Sequence, residues 1–341
     1  VAVVELSLAG KLRKMRGIVS WISLLLILSS CGKESCKTIQ EAEQSPAPIR
    51  IERFDQLLAE LKDTTSVVRF LENEPKFADK FLQIYGYPDK RMLYNQILAL
   101  NEDVYMDSLA EQTYKAFPST DLLENELQKL FGYLRFFDSK IEIPQTVTVL
   151  TGFGTDLYYS DSLLVISLDY FSTHGGKFKP DMPQYIMDRY YPASVKAILA
   201  LLISARYNQV NELDQSLIAE MVYYGKAYYF AKQVLPCVHD TIITGFTQRE
   251  IDILESTGQE IWAYLVEKEH LFATEHRIVN KYVGERPYIA EIGPSCPGRA
   301  GRWFGLKIVE EYLRRNPNIG LLSLMADQDA KKLFLASKYK P

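Results

Sequence analysis

The segment Ser194-Val195-Lys196-Ala197-Ile198-Leu199-Ala200-Leu201-Leu202-Ile203-Ser204-Ala205 carries a single charge and is otherwise nearly apolar on every face. A helix of that kind has no side suited to water, so it must lie inside a domain with other elements packed around it. It falls well short of the ~20 residues that cross a bilayer. The rest of the chain therefore has to supply a jacket. At 341 residues, 47% hydrophobic and 24% charged, it can do so within one large domain or two modest ones.

Hydrophobic period shows what the jacket is made of. From Ile51 to Phe137 the rhythm is helical: Phe54, Leu57, Leu58 and Leu61 recur at i, i+3, i+4 and i+7, and Leu122, Leu123, Leu127, Leu130 and Leu134 continue it. Pro75, Pro88 and Pro118 punctuate that block. Then Thr146-Val147-Thr148-Val149-Leu150-Thr151 alternates with period two, and Leu163-Leu164-Val165-Ile166-Ser167-Leu168 is a short β-branched run. Gly152, Gly154, Asp156 and Ser160-Asp161-Ser162 lie between them, which predicts two strands joined by a long hairpin loop. Beyond the buried helix, a second long helix runs from Leu217 to Leu235 and stops at Pro236. Thr247 to Glu269 predicts a further helix, with Thr247 as N-cap and Glu250 closing a capping box. Gly301–Arg315 and Ser323–Leu335 are helical again. The expected fold class is α+β, predominantly α: a helical domain with a small antiparallel sheet and no internal repeat.

The N-terminal region has a different logic. Lys11, Arg13, Lys14 and Arg16 precede an apolar run from Gly17 to Leu28, which ends in Leu28-Ser29-Ser30-Cys31. About twelve apolar residues is the length of a signal peptide rather than of a membrane span. The terminal tetrad has the layout of a lipobox: a branched aliphatic, two small residues that thread a peptidase groove, and a thiol that takes a diacylglycerol. Residues 1–30 are accordingly expected to be removed between Ser30 and Cys31, with Cys31 as the lipid attachment site. Several acyl chains at ~0.8 kcal/mol per buried CH₂ make such an anchor effectively permanent. Met15-Arg16 and the apolar run form a compact signal by themselves, so residues 1–14 look like an upstream mis-start. Lys33, with no aspartate beside Cys31, favours the outer membrane. Residues 31–48 are polar and closed by Pro46 and Pro48, which suggests a flexible tether, with a single domain over 49–341.

Composition removes some functions. Net charge is −4 with no long basic stretch after the leader, which argues against nucleic-acid binding. With Cys31 acylated, Cys36, Cys237 and Cys296 remain: at most one disulfide, its pair left open by the sequence. The 22 tyrosines and 16 phenylalanines suit a binder of partners or polymers as well as a packed core.

A sheet followed by a buried helix and a second helix is also the frame of a gluzincin-type zinc peptidase, whose buried helix carries His-Glu-x-x-His. Here His174, His239, His270 and His276 all lie off that helix, and His270 and His276 are six apart, on different helical faces. No metal site and no cofactor is expected. There is no Gly-x-Ser-x-Gly elbow, and Gly152-Phe153-Gly154 is not followed by a helix. Asp161 and Asp169 bracket a strand, where isolated acids more often form turns. Glu220 is a solitary acid on the second helix with no base or metal to work with. One dense patch remains, Gly298-Arg299-Ala300-Gly301-Arg302-Trp303-Phe304-Gly305. Arg299, Arg302 and Trp303 could grip and stack on a carboxylate. The alternative, which the glycine spacing favours, is a close helix crossing with Trp303 in the core.

Five segments in this order resemble the gliding-motility lipoprotein family GldB: Ile51-Glu52-Arg53-Phe54-Asp55, Val165-Ile166-Ser167-Leu168-Asp169-Tyr170, Glu220-Met221-Val222-Tyr223-Tyr224-Gly225-Lys226, the Pro297–Gly305 patch, and Ser337-Lys338-Tyr339-Lys340-Pro341. The resemblance implies a cell-envelope lipoprotein tied to gliding and to type IX secretion. It marks Asp169, Tyr224, Gly225, Lys226, Arg299, Arg302 and Trp303 as partner-binding or structural positions. It also implies a distant likeness to predicted zinc proteases. Those carry Glu-Gly on the second helix where this chain has Tyr224-Gly225, and the buried helix has Leu-Leu-Ile-Ser-Ala in place of the histidine motif. The expectation is a peptidase-like domain without catalysis, a non-enzymatic component held by Cys31 at the periplasmic face of the outer membrane, with surface exposure left open. Its partners would be other envelope proteins of the gliding or secretion machinery. An active envelope hydrolase and a peptidoglycan- or glycan-binding lipoprotein are the alternatives.

Overall fold

Residues 38–341 are those described by the computed structural model. The expected leader, Ser30 and Cys31 lie outside them. A single helical turn, α1 (Gln40–Glu43), comes first, and Ala42, Ala47 and Ile49 are buried. Ala47 N–H donates to Gln128 O at 3.0 Å, and Gln128 Nε2 donates to Ile49 O at 2.9 Å. The stretch 38–48, expected to belong to a tether, is thus packed onto the domain. Composition hid this because a few apolar residues scattered among polar ones show no period.

Strand β1 (Ile51–Glu52) leads into α2 (Phe54–Ala59), α3 (Thr64–Asn73), α4 (Lys90–Glu102), α5 (Val104–Ala116) and α6 (Asp121–Phe137). Asp63 starts α3 through a reciprocal capping box, accepting the Ser66 N–H at 2.7 Å. The apolar stripe of α6 buries Leu123, Leu127, Leu130 and Leu134, whereas Leu122 is 73% exposed. Asp55 is buried, bonded by Arg53 Nη2 at 2.7 Å and by the Thr148 hydroxyl, which ties the start of α2 to the sheet.

The sheet corrects the expected hairpin. Its strands β1, β2 (Gln145–Val149), β3 (Leu157–Ser160) and β4 (Leu163–Ser167) are ordered β1-β2-β4-β3. The two strands read from the sequence, β2 and β4, run parallel, with Val147 opposite Val165, and β1 is parallel to β2. Only β3 and β4 form an antiparallel pair. The sheet is therefore mixed rather than antiparallel. Period two shows which face is buried and says nothing about direction. β4 is buried along its whole length: Leu164 and Ile166 face the main core, and Leu163 and Val165 face a smaller cluster with Phe54 and Phe77. Its continuous apolar run follows from burial on both faces.

After a short helix α7 (Gln184–Met187), the apolar segment forms α8 (Val195–Ser204), with Val195, Ala197, Leu199, Ala200 and Ile203 fully enclosed. Its one charge escapes the core: Lys196 pairs with Glu126 of α6. Helix α9 (Leu217–Val234), capped by Ser216, lies beside it. The helix expected over Thr247–Glu269 is two, α11 (Gln248–Ser256) and α12 (Gly258–Glu267), following the short α10 (Asp240–Thr244). The Thr247–Glu250 capping box is present, and the break falls at Thr257-Gly258. Helices α13 (His276–Val283), α14 (Ala300–Arg315), α15 (Leu321–Ala326) and α16 (Ala330–Ser337) complete the chain. The last two were expected as one; Asp329 caps α16 by accepting the Lys332 N–H at 2.8 Å and so divides them. Each fully buried Leu, Ile or Phe of this core contributes about 1.5–3 kcal/mol.

Candidate functional site

Helices α9 and α14 cross at two glycines. A methyl on Gly225 would lie 2.2 Å from Gly305 O, and one on Gly305 would lie 1.7 Å from Met221 O. No other residue lets the backbones come so close. This contact fixes the next groups along each helix. Tyr224 precedes Gly225, Arg302 lies one turn before Gly305, and the Arg302 guanidinium stacks over the Tyr224 ring at 4.1 Å. Arg302 Nε also donates to Val283 O at 2.6 Å, the last residue of α13.

Arg299, one turn earlier, sits at the N-cap of α14 in a left-handed backbone conformation with φ 60°. Its buried side chain is held by Thr244 O at 3.0 Å and Gly245 O at 3.1 Å, and it covers the Phe246 ring at 4.5 Å. Gly245 ends α10 with φ 67°, and a methyl there would meet Arg189 Cδ at 2.9 Å. A bare Gly245 thus serves Arg299 with a carbonyl and gives the Arg189 side chain its track.

All three arginines converge on one carboxylate. Glu285 meets Arg189 at 2.9 Å, Arg302 at 3.0 Å and Arg299 at 3.7 Å. Burial pushes the Glu285 carboxyl up, but the hydrogen bond from Arg189 and the charges of the three arginines outweigh it and hold the group below its ordinary range. Two arginines of the patch do meet a carboxylate, an internal one, while Trp303 packs in the core as the favoured helix-crossing reading expects. The cluster forms one wall of a cleft of ≈ 860 Å³, whose other walls are aromatic, including Tyr185, Tyr191, Tyr223 and Tyr224, with Ile198 and Leu201 of α8 at its apolar side. Tyr223 and Tyr224 separate it from a second cavity of ≈ 690 Å³ that contains Glu220 and His276. Burial raises the Glu220 carboxyl, and Arg302 partly opposes that.

The remaining sequence-derived positions serve the frame. Trp303 is in the core, edge-on to Phe246 at 6.2 Å. Lys226 is buried, and its ammonium donates to Gln209 O, Met325 O and Asp327 O at 2.8, 3.1 and 2.9 Å, pinning the end of α15 to α9. Burial lowers its pKa to about 8. Asp169 is fully buried and accepts the Phe153 N–H at 2.8 Å and the Thr151 N–H at 3.3 Å, shaping the loop after β2. Burial raises the Asp169 carboxyl even against those bonds. Asp161 is not its partner, since it pairs with Arg206. Asp169 touches the cleft indirectly: its neighbour Tyr170 packs on the cleft residue Tyr190, ring centres 5.6 Å apart.

His270 bonds Tyr282 at 2.8 Å and His239 caps α10, so both are locally engaged. Among the described residues no group of three or more His, Cys, Asp or Glu side chains is placed to hold a metal ion. Cys237 is disulfide-bonded, and Cys296 is a buried free thiol. Two cleft residues were not found from the sequence, Arg189 and Glu285. Neither sits in a motif; the only hint was a pair of arginines in the Pro297–Gly305 patch with no acid beside them.

Fold and cleft together define a predominantly helical α+β domain with an arginine- and tyrosine-walled cleft where its central helices cross. The chain belongs to the gliding motility protein GldB family, whose model matches residues 35–341. It is thus a gliding-motility-associated lipoprotein of the cell envelope, and among the described residues no helix is long and apolar enough to cross a membrane. No curated protein and no solved structure matches it.

Proposed function

We propose that this chain is a non-catalytic binding component of the gliding and type IX secretion machinery, anchored through Cys31 at the periplasmic face of the outer membrane. The observation that carries this reading is the Tyr224–Arg302–Glu285 arrangement at the α9–α14 crossing. Tyr224-Gly225 stands where the zinc proteases distantly similar to the family carry Glu-Gly. Tyr224 is stacked under a guanidinium, and on α8 the cleft is lined by Ile198, Leu201 and Ser204, whose hydroxyl donates to the Leu201 carbonyl at 2.6 Å. A cleft that offers arginine and tyrosine side chains, with no metal-ligand set or acid–base pair among the described residues, is suited to holding a partner rather than cutting one.

Deletion of the gene, scored for surface spreading and for secretion in the same strain, tests the role. Loss of spreading together with a secretion defect is the expected outcome. Normal behaviour in both assays would remove the proposal. Elemental analysis of the purified protein tests the absence of catalysis separately, because stoichiometric zinc would point to an active hydrolase instead.

A further inference from the structure

We propose that the arginine- and tyrosine-walled cleft docks a carboxylate carried by a peptide segment of a partner protein. This rests on the binding reading above and names the chemistry of the partner.

Charge is the first argument. Arg189, Arg299 and Arg302 share one directly paired carboxylate, Glu285, and Arg286 lines the same cleft with its buried Nε unsatisfied, so four guanidinium groups in a partly desolvated wall face three acids. The other acids lining the cleft, Glu250 and Asp188, keep their charge but spend their hydrogen bonds on Thr247 and Gln184 rather than on the arginines. Glu220 lies in the neighbouring cavity behind Tyr223 and Tyr224.

The second argument is access. The arginines are graded in depth, with side chains 5% (Arg299), 13% (Arg302) and 18% (Arg189) exposed, and Glu285 lies outermost at 37%. Arg299 is consumed by the Thr244 and Gly245 carbonyls. Arg189 offers more: one nitrogen meets Glu285 at 2.9 Å, and the partly exposed guanidinium faces the Tyr185 ring at 5.8 Å inside the cleft. A guanidinium presents a planar fork that matches a carboxylate with two parallel bonds. Glu285 demonstrates that a carboxylate fits this wall, so an incoming one would bind beside it on Arg189 and take up the surplus charge.

Shape gives the third argument. A volume of ≈ 860 Å³ admits a few residues of extended chain. Tyr185, Tyr191 and Tyr223 offer flat faces with polar tips, the surfaces that hold peptide side chains at low entropic cost. The carboxylate has two sources, a free C-terminus or an Asp or Glu side chain, and both present the same group.

The test uses the full chain purified in detergent micelles and fluorescence anisotropy with three probes. One is a fluorescein-labelled Gly-Ala-Tyr-Ala-Leu peptide with a free C-terminus, the second is its C-terminal amide, and the third is the amide with glutamate replacing the second alanine. The free acid, the glutamate amide or both should bind at least about tenfold tighter than the plain amide, and whichever binds identifies the source. Arg189→Gln should lose about tenfold for that probe while still melting in one cooperative transition, somewhat below the wild type because the pair with Glu285 is lost, and Arg189→Lys should recover only part of the binding. Glu285→Gln, which removes the internal carboxylate, should tighten binding. Equal binding of all three probes, or none, overturns the proposal, as does unchanged affinity in a normally folded Arg189→Gln protein. Competition by inorganic phosphate as strong as by the free-acid peptide also overturns it, because the site would then be a general anion site. A negative result here alongside a secretion defect on deletion would discard the carboxylate and leave the envelope role standing; the reverse pattern would discard the role alone.

Discussion

Replacing Gly305 with alanine puts a methyl 1.7 Å from Met221 O, where ordinary contact begins at 3.4 Å, so α9 and α14 must part by about 1.7 Å. Met221, Leu306 and Ile308, all fully buried, lose contact across the gap. A radial gap of only 0.5–1 Å forfeits about a quarter to a half of each atom pair's attraction, and overpacking of this kind costs about 1–3 kcal/mol or more. We expect a loss of about 3 kcal/mol or more for Gly305→Ala, a melting temperature lower by roughly 5 °C or more for a domain of this size. Gly225→Ala needs a smaller separation of about 1.2 Å, against the Gly305 carbonyl across the same crossing. Because one movement relieves both clashes, the double variant should cost little more than Gly305→Ala alone, a coupling of about 1–2 kcal/mol. Urea unfolding followed by far-UV circular dichroism measures all four corners of the cycle. Without the close crossing, each alanine would gain about 1 kcal/mol of helix propensity. Stabilised single variants, or strictly additive losses, would therefore refute the crossing as the element that sets the cleft.

Lys226→Met should cost about 3 kcal/mol by urea unfolding, since it leaves the Gln209, Met325 and Asp327 carbonyls without their shared donor. The Glu285 carboxyl is held below its unfolded value near 4.5, so its contribution is present above that pH and fades as pH falls through the lower folded value. The stability gap between wild type and Glu285→Gln should accordingly shrink in melts taken from pH 6 down to pH 3. Thr247→Ala removes the capping box of α11 and should cost about 1 kcal/mol in the same assay. Native alkylation at pH 8 followed by peptide mapping should leave Cys296 unmodified, its buried thiol pushed up to about 12, and should recover Cys237 in a disulfide-linked peptide.

What the sequence made legible were the features that need only local period or local chemistry. The apolar run of α8, the length of α9, the start of α14 and the Thr247–Glu250 box all follow from neighbours within a few residues. The parallel pairing of β2 and β4 did not follow, because the chain between them forms β3, whose Leu157-Tyr158-Tyr159-Ser160 lacks a clean alternation and is half-buried throughout. The breaks at Thr257 and at Asp327–Asp329 were hidden inside continuous helical periods, since a cap needs only one or two residues to end a helix. The cleft was half visible. Tyr224, Gly225, Arg299 and Arg302 stood out as a dense pattern, but Glu285 is contributed by an irregular segment and Arg189 by one more than 90 residues upstream, so only the folded chain brings them to the same point.

Position at the membrane is joined, in this protein, to a cleft that binds. The most direct measurement is complementation of the deletion strain with the wild-type chain and with Cys31→Ser, followed by membrane fractionation, acyl labelling and scoring of spreading and secretion. Cys31→Ser should lose the acyl label, leave the outer-membrane fraction and fail to restore either activity, although the chain is still made. A Cys31→Ser protein that stays membrane-bound and labelled, or one that is released and yet restores both activities, would contradict the anchored role.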